Sequence, residues 1–136
     1  MKELVGSWRS VAAWAVLILV ATTVPIPDTA LHVPVPGIDK LVHGVMYLVL
    51  GWLVGAALSS AGRRSAGAWT LGALGLAVFS LLDETHQLWL PARDASAADW
   101  AADVVGATIG LALGMIVWSA LGETERTPPA EEKEES

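Results

Sequence analysis

The chain has 136 residues, of which 54 % are hydrophobic and 16 % charged, with a formal net charge of −6. That length supports a single domain, and the lack of a basic stripe excludes a nucleic-acid binder. Disulfides and thiolate metal sites are excluded because the sequence contains no cysteine. The negative charge says little about partners, since six of the fourteen acids (Glu123, Glu125, Glu131, Glu132, Glu134, Glu135) fall in the segment from Gly122 to Ser136. That segment has no large apolar side chain to offset the entropy of ordering it, so residues 122–136 are expected to form a disordered acidic tail.

The remaining residues, 1–121, read as one membrane domain. The first apolar run extends from Trp8 to Val24 and is stopped by Pro25 and Pro27. Lys2 and Arg9 precede it, as in a signal peptide, but no small-x-small cleavage site follows the apolar core Val11–Ala21, and a retained helix is expected. A second run begins after Gly37 and reaches Ser59, a third runs from Ala68 to Leu90 before Pro91, and a fourth from Ala98 to Leu121. At 1.5 Å rise per residue, each can cross a hydrocarbon core of roughly 30 Å. Helices of a soluble domain this small would show polar faces, which these runs lack. The expected fold is therefore all-α, with four transmembrane helices.

Four spans place the N-terminus, the turn at Arg63 and Arg64 and the C-terminal tail on one side. That side carries Lys2, Arg9, Arg63, Arg64, Arg126 and Lys133, against Lys40 and Arg93 on the other. The positive-inside rule then puts both termini in the cytoplasm of a multi-pass cell-membrane protein.

With this topology the polar residues of the spans collect under the outer surface. The second span opens with Asp39, Lys40, His43 and Tyr47; the third closes with Asp83, Glu84, His86 and Gln87; Arg93 and Asp94 follow in a short loop; and the fourth opens with Asp99 and Asp103. Steps of four spread Asp39, His43 and Tyr47 over about 80° of one helix face. Asp83, Glu84 and Gln87 fall within about 100°, with His86 nearly opposite Glu84. Asp99 and Asp103 continue into Gly106, Gly110 and Gly114, a spacing at which small residues admit a neighbouring backbone, so the aspartates should point into the bundle. Gly51 and Gly55 suit the same role on the second span. The short connections make the second, third and fourth spans sequential neighbours.

Structural explanations compete at some of these positions. Asp39 fits a helix cap, Ser96 with Asp99 fits a capping box, Tyr47 fits an interfacial aromatic, and His32 fits a solvated loop. Asp83 and Glu84 resist a local account, because a helix C-terminus disfavours negative charge. Acids at such depth usually face a cavity or a partner.

The polar pattern resembles the VanZ-like membrane protein family. Asp39-Lys40-x-x-His43-x-x-x-Tyr47 matches its first signature. Asp83-Glu84-x-His86-Gln87, followed by Pro91-x-Arg93, Asp99, Asp103 and Gly106, matches its second. The likeness runs from about Pro25 to Gly114. One position departs: the family usually has asparagine where this chain has Asp103. A carboxylate there must be paired, with Arg93 or a histidine, or protonated. The resemblance implies a membrane location and, through the founding member, a link to low-level resistance to the glycopeptide teicoplanin. It names no reaction.

Two function classes follow. In the first, an outer-leaflet site binds or processes a cell-envelope amphiphile. Arg93 holds a phosphate or carboxylate, Glu84 and His43 handle protons, and Asp39, Tyr47, Asp83, Gln87, Asp99 and Asp103 complete the binding set, with Asp39 orienting His43. In the second, the protein is a transporter or partner-binding subunit whose polar cluster is structural. A hard metal held by Asp39, His43, Glu84, Asp99 and Asp103 ranks behind both for want of a recognised loop motif, so no metal ligand is assigned and the cofactor is unknown. The expected partner is a membrane lipid or envelope amphiphile, and the glycine faces leave room for a homo-oligomer.

Overall fold

A computed structural model describes residues 2–24, 37–90 and 96–124. These are helical almost throughout: α1 (Lys2–Val5), α2 (Trp8–Thr23), α3 (Ile38–Ser60), α4 (Ala66–Gln87) and α5 (Ala97–Thr124), with no strand among the described residues. Three of the helices, Ile38–Ser60, Ala66–Gln87 and Ala97–Gly122, are long and apolar enough to cross a membrane. The fourth apolar helix, α2, has 16 residues and is about 24 Å long at the α-helical rise.

Local chemistry accounts for the helix ends. Ser7 accepts a hydrogen bond from the Ser10 N–H (3.3 Å) and Ser65 accepts one from the Ala68 N–H (3.2 Å), capping α2 and α4 respectively. Helix α3 ends in a Schellman turn, in which Gly62 adopts φ 72°, its N–H bonds the Ser59 carbonyl, and the Arg63 N–H bonds the Leu58 carbonyl at 2.8 Å. The third apolar run leaves the α-helix at Gln87, earlier than the expected Leu90. Residues 88–90 tighten into i→i+3 hydrogen bonds from Leu88, Trp89 and Leu90, since the residue before Pro91 is steered away from α geometry. Conversely, α5 runs to Thr124, past the expected boundary at Leu121, and no proline breaks the chain before Pro128. Residues 125–136, His32, Arg93 and Asp94 lie outside the described residues.

Helix α3 is the centre of the bundle. From Leu50 to Ser59 all but one of its residues are buried, and it packs most extensively on α5 rather than on its neighbour in sequence, α4. Helix α4 still touches both α3 and α5, as expected of sequential neighbours, but the dominant contact joins α3 to α5. The reason is a two-sided ladder of small residues. A Cβ on Gly106 would strike the Gly44 carbonyl, one on Gly110 the Leu48 carbonyl, and one on Gly114 the Trp52 carbonyl. In return, Gly51 and Gly55 meet the carbonyls of Ala107 and Leu111. The constant offset along both chains shows that α3 and α5 run parallel, with α4 returning between them in sequence. Such close backbones gain van der Waals contact and Cα–H···O approaches. Ile18, Tyr47, Leu50, Val54, Leu58, Leu76, Ala107 and Leu111 fill the core around this pair.

The exterior is apolar. Leu71, Leu82, Val78, Val105 and Ile116 are among many large side chains left more than half exposed. The threonines on the helices satisfy themselves: Thr70, Thr85 and Thr108 donate to the carbonyls of Ala66 (3.0 Å), Leu81 (2.9 Å) and Val104 (2.7 Å). Back-bonding of this kind hides hydroxyls from a medium that offers no partners.

The ladder predicts a graded response to added methyl groups. Gly110→Ala should lower thermal stability in detergent, because the new Cβ meets backbone that cannot rotate away, a strain of about 1–3 kcal/mol. Gly75→Ala, where nothing lies within 4 Å of the added Cβ, should leave the midpoint unchanged or raise it. Equal midpoints for Gly110→Ala and the parent would remove the ladder as the determinant of packing.

Candidate functional site

Four helices bring polar groups together at the end of the bundle away from the Gly62 turn. The opposite end is marked by Gly6 beside Ser60 and Trp118, and by Gly122 beside Arg64. Three clusters occupy the polar end.

The outermost is ionic. Lys40 Nζ lies 2.7 Å from Asp39 Oδ2 and 3.0 Å from Asp99 Oδ1, tying the first turn of α3 to that of α5. Asp39 is exposed here and pairs with its chain neighbour, so the expectation that it orients His43 is not met. A cation on the adjacent residue reaches it, and the imidazole one turn further on faces α5 instead.

The deepest cluster centres on Asp83, which is 1 % exposed. Thr22 Oγ1 from α2 donates to its Oδ1 at 2.8 Å, and Tyr47 Oη from α3 donates to its Oδ2 at 3.1 Å. The Tyr47 ring packs against Phe79 at 6.1 Å between centroids. Both carboxylate oxygens are thus matched, and three helices are stapled at one buried point.

Between them lies a less satisfied set. Ser80 Oγ donates to Asp103 Oδ2 at 3.0 Å, while His43 Nδ1 stands 3.3 Å from Asp103 Oδ1, close but misaligned for a hydrogen bond. Glu84 Oε1 accepts the backbone N–H of Ser96 at the start of α5. This contact resolves the difficulty of an acid at the end of α4, because Glu84 is simultaneously at the N-terminus of α5, where the dipole favours it. It also displaces the expected capping box. The Ser96 side chain accepts from the Ala98 N–H at 3.2 Å, but the Ser96 N–H goes to Glu84, leaving Asp99 for Lys40. Four buried atoms in this region have no hydrogen-bond partner: His43 Nδ1, Glu84 Oε2, Gln87 Nε2 and Asp103 Oδ1.

Asp83, Glu84, Gln87, Asp99, Asp103 and Tyr47 are all buried, His43 is half-buried, and His86 is exposed on the opposite face of α4. Thr22 and Ser80 were not anticipated. Ser80 shares the Asp83–Gln87 face at helical spacing and was findable on that ground, whereas Thr22 closes an apolar run with no polar neighbour. An apolar cleft of about 350 Å³ between α2, α3 and α4, lined by residues such as Val11, Ala15, Val54, Leu58 and Leu76 with Trp8 and Arg63, contains none of the expected site residues.

A helical bundle with an apolar exterior and a buried acid–imidazole cluster at one end defines a membrane protein with an internal polar site. The VanZ/LLP1 family model matches residues 4–118, so the chain belongs to that family. No curated protein and no solved structure matches it.

Tyr47→Phe and Thr22→Val each remove one donor from Asp83, leaving a buried carboxylate oxygen bare at a cost of about 1–2 kcal/mol. Thermal unfolding in detergent should show both losses, and the double variant should deviate from their sum because they share an acceptor. Thr85→Val, exposed and self-bonded, should be neutral.

Proposed function

We propose that this protein crosses the cell membrane four times with both termini in the cytoplasm, and that its polar end binds or processes the head of a cell-envelope amphiphile at the outer leaflet. The observation that supports the site is the set of four unpartnered buried atoms on α3, α4 and α5. Burying such atoms empty costs free energy that a bound group recovers. They comprise two carboxylate oxygens, an amide nitrogen and an imidazole nitrogen, which suit a head group rich in hydroxyl or amine donors with at least one acceptor oxygen. Glu84 and His43 are the proton-handling pair, Asp103 places a carboxylate oxygen 3.3 Å from the imidazole, and Gln87 contributes a hydrogen bond. Arg93 is assigned from sequence to hold an anionic part of the head. Membership of the family supports a role in the response to glycopeptide drugs of the teicoplanin type. Asp83 favours the alternative of a structural polar network at its own position, since its oxygens are both occupied.

Orientation is tested on the cysteine-free background. Ala97→Cys should react with an impermeant maleimide from outside intact cells, and Ala61→Cys only after permeabilisation; the reverse pattern would move the site to the cytoplasmic leaflet. For the site itself, envelope lipids retained by the purified protein are identified by native mass spectrometry. Glu84→Gln, His43→Ala and Arg93→Lys should each reduce retention, with doubles no worse than the worse single, because one disabled member disables the unit. Full retention in well-inserted single variants would reject the site, and strictly additive losses would favour separate structural roles.

A further inference from the structure

His43, Glu84 and Asp103 each offer one donor atom, and these atoms lie within 4.8 Å of one another. They come from three different helices, and two of the side chains are almost completely enclosed: Glu84 is 5 % exposed and Asp103 is fully buried. Each of the two carboxylates keeps one oxygen without a hydrogen-bond partner, as does the imidazole at Nδ1. Their other oxygens are held from outside the cluster, by the Ser96 N–H and by the Ser80 hydroxyl. Asp103 thereby keeps its free oxygen 3.3 Å from His43 Nδ1, and Glu84 keeps Oε2 free while its other oxygen is held, in the way that neighbouring groups orient metal ligands.

Charge points the same way. Two carboxylates this close in a low-dielectric bundle repel one another, and burying them without a counter-charge is expensive. Among the described residues no lysine or arginine pairs with either: Lys40 is engaged by Asp39 and Asp99, and Arg9, Arg63 and Arg64 belong to the far end of the bundle. A divalent cation would neutralise the pair and give the imidazole nitrogen a partner.

We infer that His43, Glu84 and Asp103 form a binding site for one divalent transition-metal ion of the Zn²⁺ or Mn²⁺ type. One nitrogen and two carboxylate oxygens form a donor set that such ions accept, whereas magnesium and calcium prefer oxygen alone. Ligands at bond lengths of roughly 2.1 Å stand roughly 3–3.4 Å apart, so donor atoms spread over as much as 4.8 Å would draw together on loading. Asp39 and Asp99 are not ligands, because Lys40 occupies them. Three protein ligands leave a position open to water or to an oxygen of a bound head group. The ion draws on the same residues as the head-group reading and leaves Gln87 and the open metal position to the head group, so the two are separated by measuring ion content and lipid retention independently.

The test uses the full chain, purified in detergent through a tag without histidine, stripped with a chelator and dialysed. After incubation with Zn²⁺ or Mn²⁺ alone and removal of excess, elemental analysis should find about one ion per chain, and the metal should raise the unfolding temperature. Glu84→Gln and Asp103→Asn should abolish both effects while His86→Ala keeps them. Where a variant is poorly folded, the Co²⁺-loaded parent decides alone: nitrogen–oxygen ligation gives a visible d–d absorption that Zn²⁺ displaces. An unloaded parent, or ions retained equally by Glu84→Gln and Asp103→Asn, would overturn the site. Lipid retention by the stripped protein is read separately, so its loss or survival bears on the amphiphile and leaves the ion to the elemental analysis.

Discussion

Backbone contact between α3 and α5 is the constraint on which the other features depend. Gly44, Gly51 and Gly55 on one helix and Gly106, Gly110 and Gly114 on the other let each backbone approach the other's carbonyls. Leucines at those places would separate the helices by the width of a side chain. In a lipid environment, where apolar surface gains nothing by being buried, close packing is the main attraction available. The ladder also sets register. Gly44 faces Gly106, and in that register His43 stands beside Asp103 and, further outward, Lys40 reaches Asp99. The polar pairs are consequences of the glycine register and could not form at another.

Helix α4 then completes the site from the other direction. It runs antiparallel to the pair, so its C-terminus arrives where α5 begins, and Glu84 meets an N-terminal N–H of α5. Each acid at this end is compensated differently. Asp39 and Asp99 share a lysine, Asp83 takes two hydroxyls, and Glu84 takes a backbone N–H. Asp103 takes a serine and stands beside an imidazole. Asp83 is complete with these partners, which suits a staple. Glu84 and Asp103 each retain an open oxygen, which suits binding.

Much of this was legible in the sequence because the relevant signals are periodic. Apolar runs bounded by Pro25, Gly37 and Pro91 located the helices to within a few residues, and the steps from Asp99 to Gly114 identified the buried face of α5. Less legible was which helix that face meets. Short loops rightly argued that neighbours in sequence touch, but it is the glycines on the second and fourth spans that make α3 and α5 the closest pair. The partner of His43 was misread for a related reason. Spacing along one helix places Asp39 and His43 on one face, yet says nothing of a lysine one residue away or of an acid on another helix. Thr22 shows the limit of pattern reading, since a lone hydroxyl at the end of an apolar run carries no periodicity.

The carboxylate at position 103, where the resemblance to the family implies an asparagine, fits this arrangement. An asparagine there could accept the Ser80 hydroxyl as the carboxylate does, so that bond does not require an acid. The second oxygen is the one that differs, and it is the one that faces His43 at 3.3 Å. An amide would present there a single neutral group, whereas the carboxylate presents a charge beside an imidazole and within reach of Glu84. Gly106, three residues on, presses α5 against Gly44 and keeps that charge from moving away. The same contact that stabilises the helix pair therefore concentrates negative charge at the site, and that charge is tolerable only where a proton, a donor-rich head group or a metal ion meets it.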